Sequence, residues 1–330
     1  MRFTDNDALK IILVIFFAII DFFGVFGNCI VIFVITSTRH LNLPQNYLIV
    51  SLAFVDLLLS IVSMPLYINT SIFNGRWMLG FQLCRLFMLY DVTLSSASML
   101  NLCAISIDRY FALYYPFKYK FKRNNSIILL LLLGSWSLSC ITSIPLLFLK
   151  RSELYNQSSR SEQFCIIPLN AIFITIALVV GYYVPLIILI YTNWCIYARL
   201  KHRRNTRANA AMTNKVDIYV AKIYHSETTY SSKNESIGIG KSPSVVKKDG
   251  RLTLTLCGIV LSTIICWSPF FLLLTISFTM KNKVRFPRVV HEVSLWLGYL
   301  NSAINPIIYN FTNLDFKRRL RIICRGNKIV

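Results

Sequence analysis

Seven stretches of this chain are long and apolar enough to span a bilayer as helices. They run over about Leu9–Ile35, Tyr47–Ser71, Cys84–Leu113, Ile127–Leu149, Asn170–Tyr197, Leu252–Met280 and Val289–Phe311. A spanning helix needs about 20 predominantly apolar residues, and each stretch meets that length. In lipid the backbone must satisfy its own hydrogen bonds within the segment, so continuous runs of this kind are read as helices and not strands. Composition agrees. The chain is 55% hydrophobic and 15% charged, against about 25% charged in soluble domains. The expected fold class is an all-α membrane protein, a seven-transmembrane helix bundle. The chain shows no repeat or inverted half of the sort that builds many transporters.

The net charge of +21 would suggest nucleic acid in a soluble domain, but no DNA- or RNA-binding motif accompanies it. The basic residues concentrate instead in alternate connections. Arg39 follows span 1; Lys118, Lys120, Lys122 and Arg123 follow span 3; Arg199 to Arg204 follow span 5; Lys247 and Lys248 precede span 6; and Lys317, Arg318, Arg319, Arg321 and Arg325 lie in the tail. By the positive-inside rule these face the cytoplasm. A multi-pass plasma-membrane protein with its amino terminus outside and its carboxy terminus inside is expected. No small-residue cleavage site closes the first apolar run, so no cleavable signal peptide is expected.

The chain divides into a membrane domain over 1–312 and a tail over 313–330. The connection over about 201–248 is polar, basic and rich in Ser and Thr, and is expected to be a flexible loop. In the tail, Leu314, Phe316, Leu320 and Ile323 share one helical face opposite the basic residues, the pattern of a short helix in the membrane interface. Cys324 at its end is a candidate for palmitoylation, with an unmodified thiol as the alternative. Asn156-Gln-Ser is a glycosylation sequon in an outside loop. Nine cysteines show neither CxxC spacing nor a histidine cluster, so no zinc site is expected.

Span 3 carries the most informative polar pattern. Asp91 sits near its outer end and Asp108-Arg109-Tyr110 near its inner end, with sixteen uncharged residues between the two carboxylates. On one helix they stand about 25 Å apart, close to the thickness of the hydrocarbon core. Intramembrane polar groups are costly and mark function. Asp21, Asn28, Asp56, Asn101, Asn301 and Asn305 also fall in spans. For Asn28, Asp56 and Asn305 two readings stand, a static hydrogen-bond network holding the bundle and a switching role. Asp21 lies two turns before Asn28 on a similar face and reads as its structural partner.

Taken in order, these residues resemble the rhodopsin-like (class A) G-protein-coupled receptors over nearly the whole chain. The matching residues are Gly27-Asn28, Ser51-Leu52-Ala53 with Asp56, Cys84, Asp108-Arg109-Tyr110, Trp136, Pro185, Cys266-Trp267-Ser268-Pro269 and Asn305-Pro306-Ile307-Ile308-Tyr309. The resemblance implies a Cys84–Cys165 disulfide and a sodium pocket at Asp56, Ser98, Asn301 and Asn305, with no other cofactor. It implies a G-protein switch at Asp108, Arg109, Tyr110, Asp249 and Tyr309, in which Arg109 pairs with Asp108 and Asp249. Pro269 and Pro306 are expected to kink spans 6 and 7. A heterotrimeric G protein, arrestin and receptor kinases are the implied partners, besides the lipid bilayer.

Asp91 directs the ligand class. A carboxylate in a partly dry pocket favours a cation, and aromatic faces add to that attraction. Asp91 with Phe270, Phe271, Trp296 and Tyr299 resembles the biogenic-amine branch, trace-amine and serotonin receptors in particular. The ligand contacts implied are Asp91, Val92, Ser95, Trp267, Phe270, Phe271, Trp296 and Tyr299, with Tyr299 hydrogen-bonding Asp91. Ala177, Leu178 and Gly181 occupy the span 5 positions where catechol-binding relatives carry serines, so less-hydroxylated arylamines or a stacked indoleamine fit better. Met99, Thr263 and Asn193 depart from the family pattern along the route between ligand and G protein. Span 7 has no lysine for retinal. No nucleophile–base pair suggests an enzyme. A peptide or other non-amine ligand, and more remotely a cation transporter or channel using Asp21, Asp56 and Asp91, are the alternatives.

Overall fold

The computed structural model describes residues 7–38, 46–73, 75–115, 125–159, 162–165, 170–225, 243–280, 286–312 and 314–324. Span 1 is the helix Asp7–Thr36. Span 2 consists of Tyr47–Leu58, a π-helical turn Leu59–Ser63 and Met64–Ile72. Span 3 is the unbroken helix Gly80–Tyr114. Span 4 is Asn125–Ser143, closed by a 3-10 turn Ile144–Phe148. Span 5 consists of Ala171–Leu178, a second π-helical turn Val179–Tyr183 and Val184–His225. Spans 6 and 7 are Pro243–Thr279 and Arg288–Thr312, followed by the short helix Leu314–Cys324.

Six of the described helices are long and apolar enough to cross a membrane. Span 7 falls below that apolarity because Arg288, His291, Glu292, Asn301 and Asn305 all lie on it. Span 3 is central. It packs on spans 2, 4 and 5, and 67% of its most apolar stretch is buried, against 28% for span 4.

Both π-helical turns precede a proline, Pro65 in span 2 and Pro185 in span 5. Proline supplies no backbone N–H and crowds the preceding turn, and a widened turn accommodates it. One extra residue rotates everything outward of the turn by about 100°, so the outer faces of spans 2 and 5 are not those of uniform helices.

The connection expected to be a loop over about 201–248 is helical at both ends. Span 5 continues to His225 and span 6 begins at Pro243. Ala208, Ala210, Ala211 and Met212 are strong helix formers and extend span 5 beyond its apolar run. Pro269 and Pro306 both lie inside continuous helices.

Polar and small residues fasten the bundle. Asn28 Nδ2 donates to the carbonyl of Ser302 at 3.1 Å and to that of Gly24 at 2.8 Å. Asp21 is therefore not its partner; Asp21 is half-buried. Trp136 Nε1 donates to Ser51 Oγ at 3.1 Å. Gly27 lets span 1 touch Pro306, since a Cβ there would lie 2.9 Å from the proline ring. At the outer end Cys84 and Cys165 are disulfide-bonded, tying span 3 to an antiparallel hairpin of Tyr155–Ser159 and Glu162–Cys165. Asn156 lies on that hairpin, but its side chain is outside those described. In the tail helix Phe316 is buried, with Leu320 and Ile323 packed on the same core. The side chains of Leu314 and Cys324 lie outside those described.

Candidate functional site

A cavity of about 70 Å³ opens between spans 2, 3, 5, 6 and 7. Of the ligand contacts expected from the sequence, Asp91, Val92, Ser95, Trp267, Phe270 and Phe271 line it. Asp91 is buried, and Tyr299 donates to its Oδ1 at 2.6 Å. Tyr299 is itself fully buried. It stands behind the carboxylate and holds it, instead of forming a cavity wall. The span 6 rings make one connected aromatic surface, with Phe270 edge-on to Phe271 at 5.3 Å and Trp267 5.8 Å from Phe271. Gly298 gives Trp267 its room, because a Cβ there would come within 2.9 Å of the indole.

Trp296 departs from expectation. It turns away from the cavity and stacks on Phe17 of span 1, with centroids 4.0 Å apart and planes 4° from parallel. Spacing alone could not separate these outcomes, because Trp296 and Tyr299 are one turn apart and both face the bundle.

Several lining residues were not identified from the sequence. Tyr67, Met88, Phe173, Tyr182 and Leu295 line the cavity, and so do Ala177, Gly181 and Met99, which were singled out for other reasons. Tyr182 stacks on Phe271 at 4.1 Å and shares a 2.7 Å hydrogen bond with Ser268. The signal for Tyr182 was Pro185 three residues on, whose π-helical turn resets which residues face inward.

Asp56 is fully buried lower in the bundle. Ser98 Oγ donates to its Oδ1 at 2.9 Å, Ser302 Oγ to the same oxygen at 2.8 Å, and Asn305 Nδ2 to Oδ2 at 2.9 Å. Ser302 thus stands where Asn301 was expected. Asn301 faces span 6, with Oδ1 3.5 Å from both Ser262 Oγ and Thr263 Oγ1. A carboxylate, two hydroxyls and an amide oxygen form a hard donor set that fits a small hard cation.

At the inner end Arg109 Nε lies 3.7 Å from Asp108 Oδ2, with Asp108 1% exposed. Tyr110 stacks on Tyr114 at 4.6 Å, and Tyr309 is buried. Asp249 lies on span 6, but its side chain is outside those described, and so is its expected contact with Arg109. Between the two ends the departures from the family pattern form polar links. Asn193 Nδ2 donates to Ser106 Oγ at 3.1 Å and to the carbonyl of Leu189 at 2.8 Å. Thr263 Oγ1 donates to the carbonyl of Ile259 at 2.8 Å.

A helical bundle with an acid-bearing aromatic cavity at one end and an Asp-Arg-Tyr triplet at the other defines a seven-helix membrane receptor. The chain matches the family described as 7 transmembrane receptor (rhodopsin family) over residues 27–309, and it belongs to that family. It is therefore a multi-pass membrane receptor and not an enzyme. It is 32% identical to the 5-hydroxytryptamine receptor 1B of Canis lupus familiaris, over 98% of this chain and 90% of that protein. It is 31% identical to the 5-hydroxytryptamine receptor 1B of Homo sapiens, over 98% and 89%. It is 30% identical to the octopamine receptor beta-2R of Chilo suppressalis, over 90% and 75%.

Proposed function

We propose that this chain is a cell-surface receptor that is activated by a protonated arylalkylamine and signals through a heterotrimeric G protein. The observation that carries this is Asp91, a buried carboxylate held by Tyr299 at 2.6 Å on the wall of an otherwise largely apolar cavity. One neutral hydrogen bond offsets little of the cost of burying an anion. A ligand ammonium pairs with it, while Trp267, Phe270 and Phe271 take the aromatic ring. A compact cavity of this kind suits a small amine better than a peptide. The relatives' names point the same way, since 5-hydroxytryptamine and octopamine are both amines on a hydroxylated ring.

In this reading the membrane is the plasma membrane, with the amino terminus outside and the basic connections in the cytoplasm. Amine binding repositions span 6 and opens the inner face for the G protein, and arrestin and receptor kinases act on the same face afterwards. Asp56, Ser98, Ser302 and Asn305 would hold a sodium ion, which supplies charge compensation for the buried carboxylate. The test is an amine panel on cells expressing the chain, read through G-protein activation. Asp91→Asn abolishes the amine response at unchanged surface level; a mutant that still responds sinks the proposal.

A further inference from the structure

We propose that Ser96, reached through an opening left by Gly181, reads a hydrogen-bonding group on the far end of the ligand ring. The inference rests on the amine reading and assigns ring recognition to span 3 in place of span 5.

The span 5 wall of the cavity offers no side-chain hydroxyl at the positions that meet the ring, because Ala177 and Gly181 stand there. The π-helical turn Val179–Tyr183 carries Gly181 and brings its backbone against span 3. A Cβ on Gly181 would lie 3.3 Å from Ser96 Oγ and 3.9 Å from Thr142 Cγ2. Any larger residue would therefore cover the serine. With glycine present Ser96 lines the cavity although only 8% of it is exposed.

The hydroxyl is also positioned. Thr142 Oγ1 lies 2.6 Å from the carbonyl of Ser139 and donates to Ser96 Oγ at 3.0 Å. One acceptor site and the proton of Ser96 are left for a ligand, enough for a phenol, which both donates and accepts. Ser96 follows Asp91 by five residues, about 7.5 Å along the helix axis. That rise is comparable to one aromatic ring on a two-carbon tether. An amine held at Asp91, with its ring between Phe271 and span 3, points its distal substituent at Ser96. A monophenolic arylethylamine uses the hydroxyl. A second, adjacent hydroxyl meets Ala177 and Gly181 and finds no side-chain partner there.

The experiment compares tyramine with phenethylamine, which differ by this single hydroxyl, in G-protein activation assays on cells expressing the full chain. The wild type is expected to answer tyramine at roughly three- to tenfold lower concentration, the effect of one neutral hydrogen bond. Ser96→Ala removes that advantage and leaves the phenethylamine response within about twofold, while Ser96→Thr keeps it. Gly181→Val removes it by covering the serine. The phenethylamine response and the surface level of each variant report folding. Equal potency of the two amines in the wild type, an advantage that survives Ser96→Ala, or one removed by Ser95→Ala instead, overturns the assignment of Ser96 alone. A wild type silent to both amines overturns the amine reading on which it rests.

Discussion

Tyr299 and Asp91 meet across spans 7 and 3 through one 2.6 Å hydrogen bond, and the tyrosine is wholly buried behind the carboxylate. Tyr299 is thereby a positioning residue. It fixes one oxygen of Asp91 and leaves the other toward the cavity. Tyr299→Phe keeps the ring and removes the bond, so receptor levels should hold while amine potency falls about three- to tenfold, the usual worth of a hydrogen bond to a charged group being about 1.5–3 kcal/mol less what relaxation recovers. Dose–response curves with primary amines check this. A variant as sensitive as wild type would show that Asp91 needs no support from span 7.

Trp296 and Phe271 separate packing from recognition. Trp296 stacks on Phe17 outside the cavity, whereas Phe271 lines it and stacks on Tyr182. Trp296→Phe should leave amine potency unchanged, and Trp296→Ala should lower the thermal stability of solubilised receptor by about 3–5 kcal/mol, the cost of deleting a buried aromatic. Phe271→Ala should weaken amine binding at least tenfold, since a large ring face is lost. Radioligand binding and thermal unfolding of the same samples distinguish the two. A Trp296→Phe variant with a Phe271→Ala phenotype would return Trp296 to the ligand site.

The seven spans, the outer disulfide, Asp91 with its tyrosine and most of the span 6 aromatics were legible in the sequence, because run length, charge asymmetry and motif order are one-dimensional signals. What was not legible depends on rotation about a helix axis. Asn301 and Ser302 are neighbours that both lie within a turn of Asn305, and only the assembled bundle gives Asp56 to Ser302 and turns Asn301 toward Thr263. Tyr182 and Gly181 were hidden for the same reason, since a single extra residue in the turn Val179–Tyr183 decides what span 5 shows to the cavity.

Ser302 and Asn301 give a test of the buried carboxylate site. If sodium binds at Asp56, it stabilises the folded receptor by mass action. Raising sodium at constant ionic strength should increase the melting temperature of solubilised wild type. Ser302→Ala and Asp56→Ala should each remove most of that increase, because both take away an oxygen of the donor set. Asn301→Ala should retain it, since that amide faces span 6. Loss of the sodium effect in Asn301→Ala with its retention in Ser302→Ala would reverse the assignment.

Gly298 has no room to spare. A Cβ added there would stand 2.9 to 3.3 Å from three atoms of the Trp267 indole, a rigid ring that cannot bend aside. Gly298→Ala should displace Trp267 into the cavity, costing about 1–3 kcal/mol of stability from overpacking and lowering amine potency together. Thermal unfolding and amine dose–response curves, run in parallel, check the coupling. A variant with unchanged melting and unchanged potency would show that the two spans part freely at this contact.

Asn193 and Ser106 link spans 5 and 3 at 3.1 Å near the inner end, in the arrangement where Arg109 is held by Asp108. Both residues are buried, so the bond is not exchanged for water at little cost. If span 5 must shift against span 3 for the G protein to enter, this bond opposes the shift. Asn193→Leu keeps the bulk and removes the bond, and it should raise ligand-independent G-protein activation about two- to tenfold, the population shift that about 0.5–1.5 kcal/mol produces. Ser106→Ala should do the same, and the double variant should exceed neither by much, because both changes remove one shared contact. Basal activation per receptor at the cell surface is the measurement. Unchanged basal activity in both single variants, or additive effects in the double, would place the restraint on span 5 elsewhere.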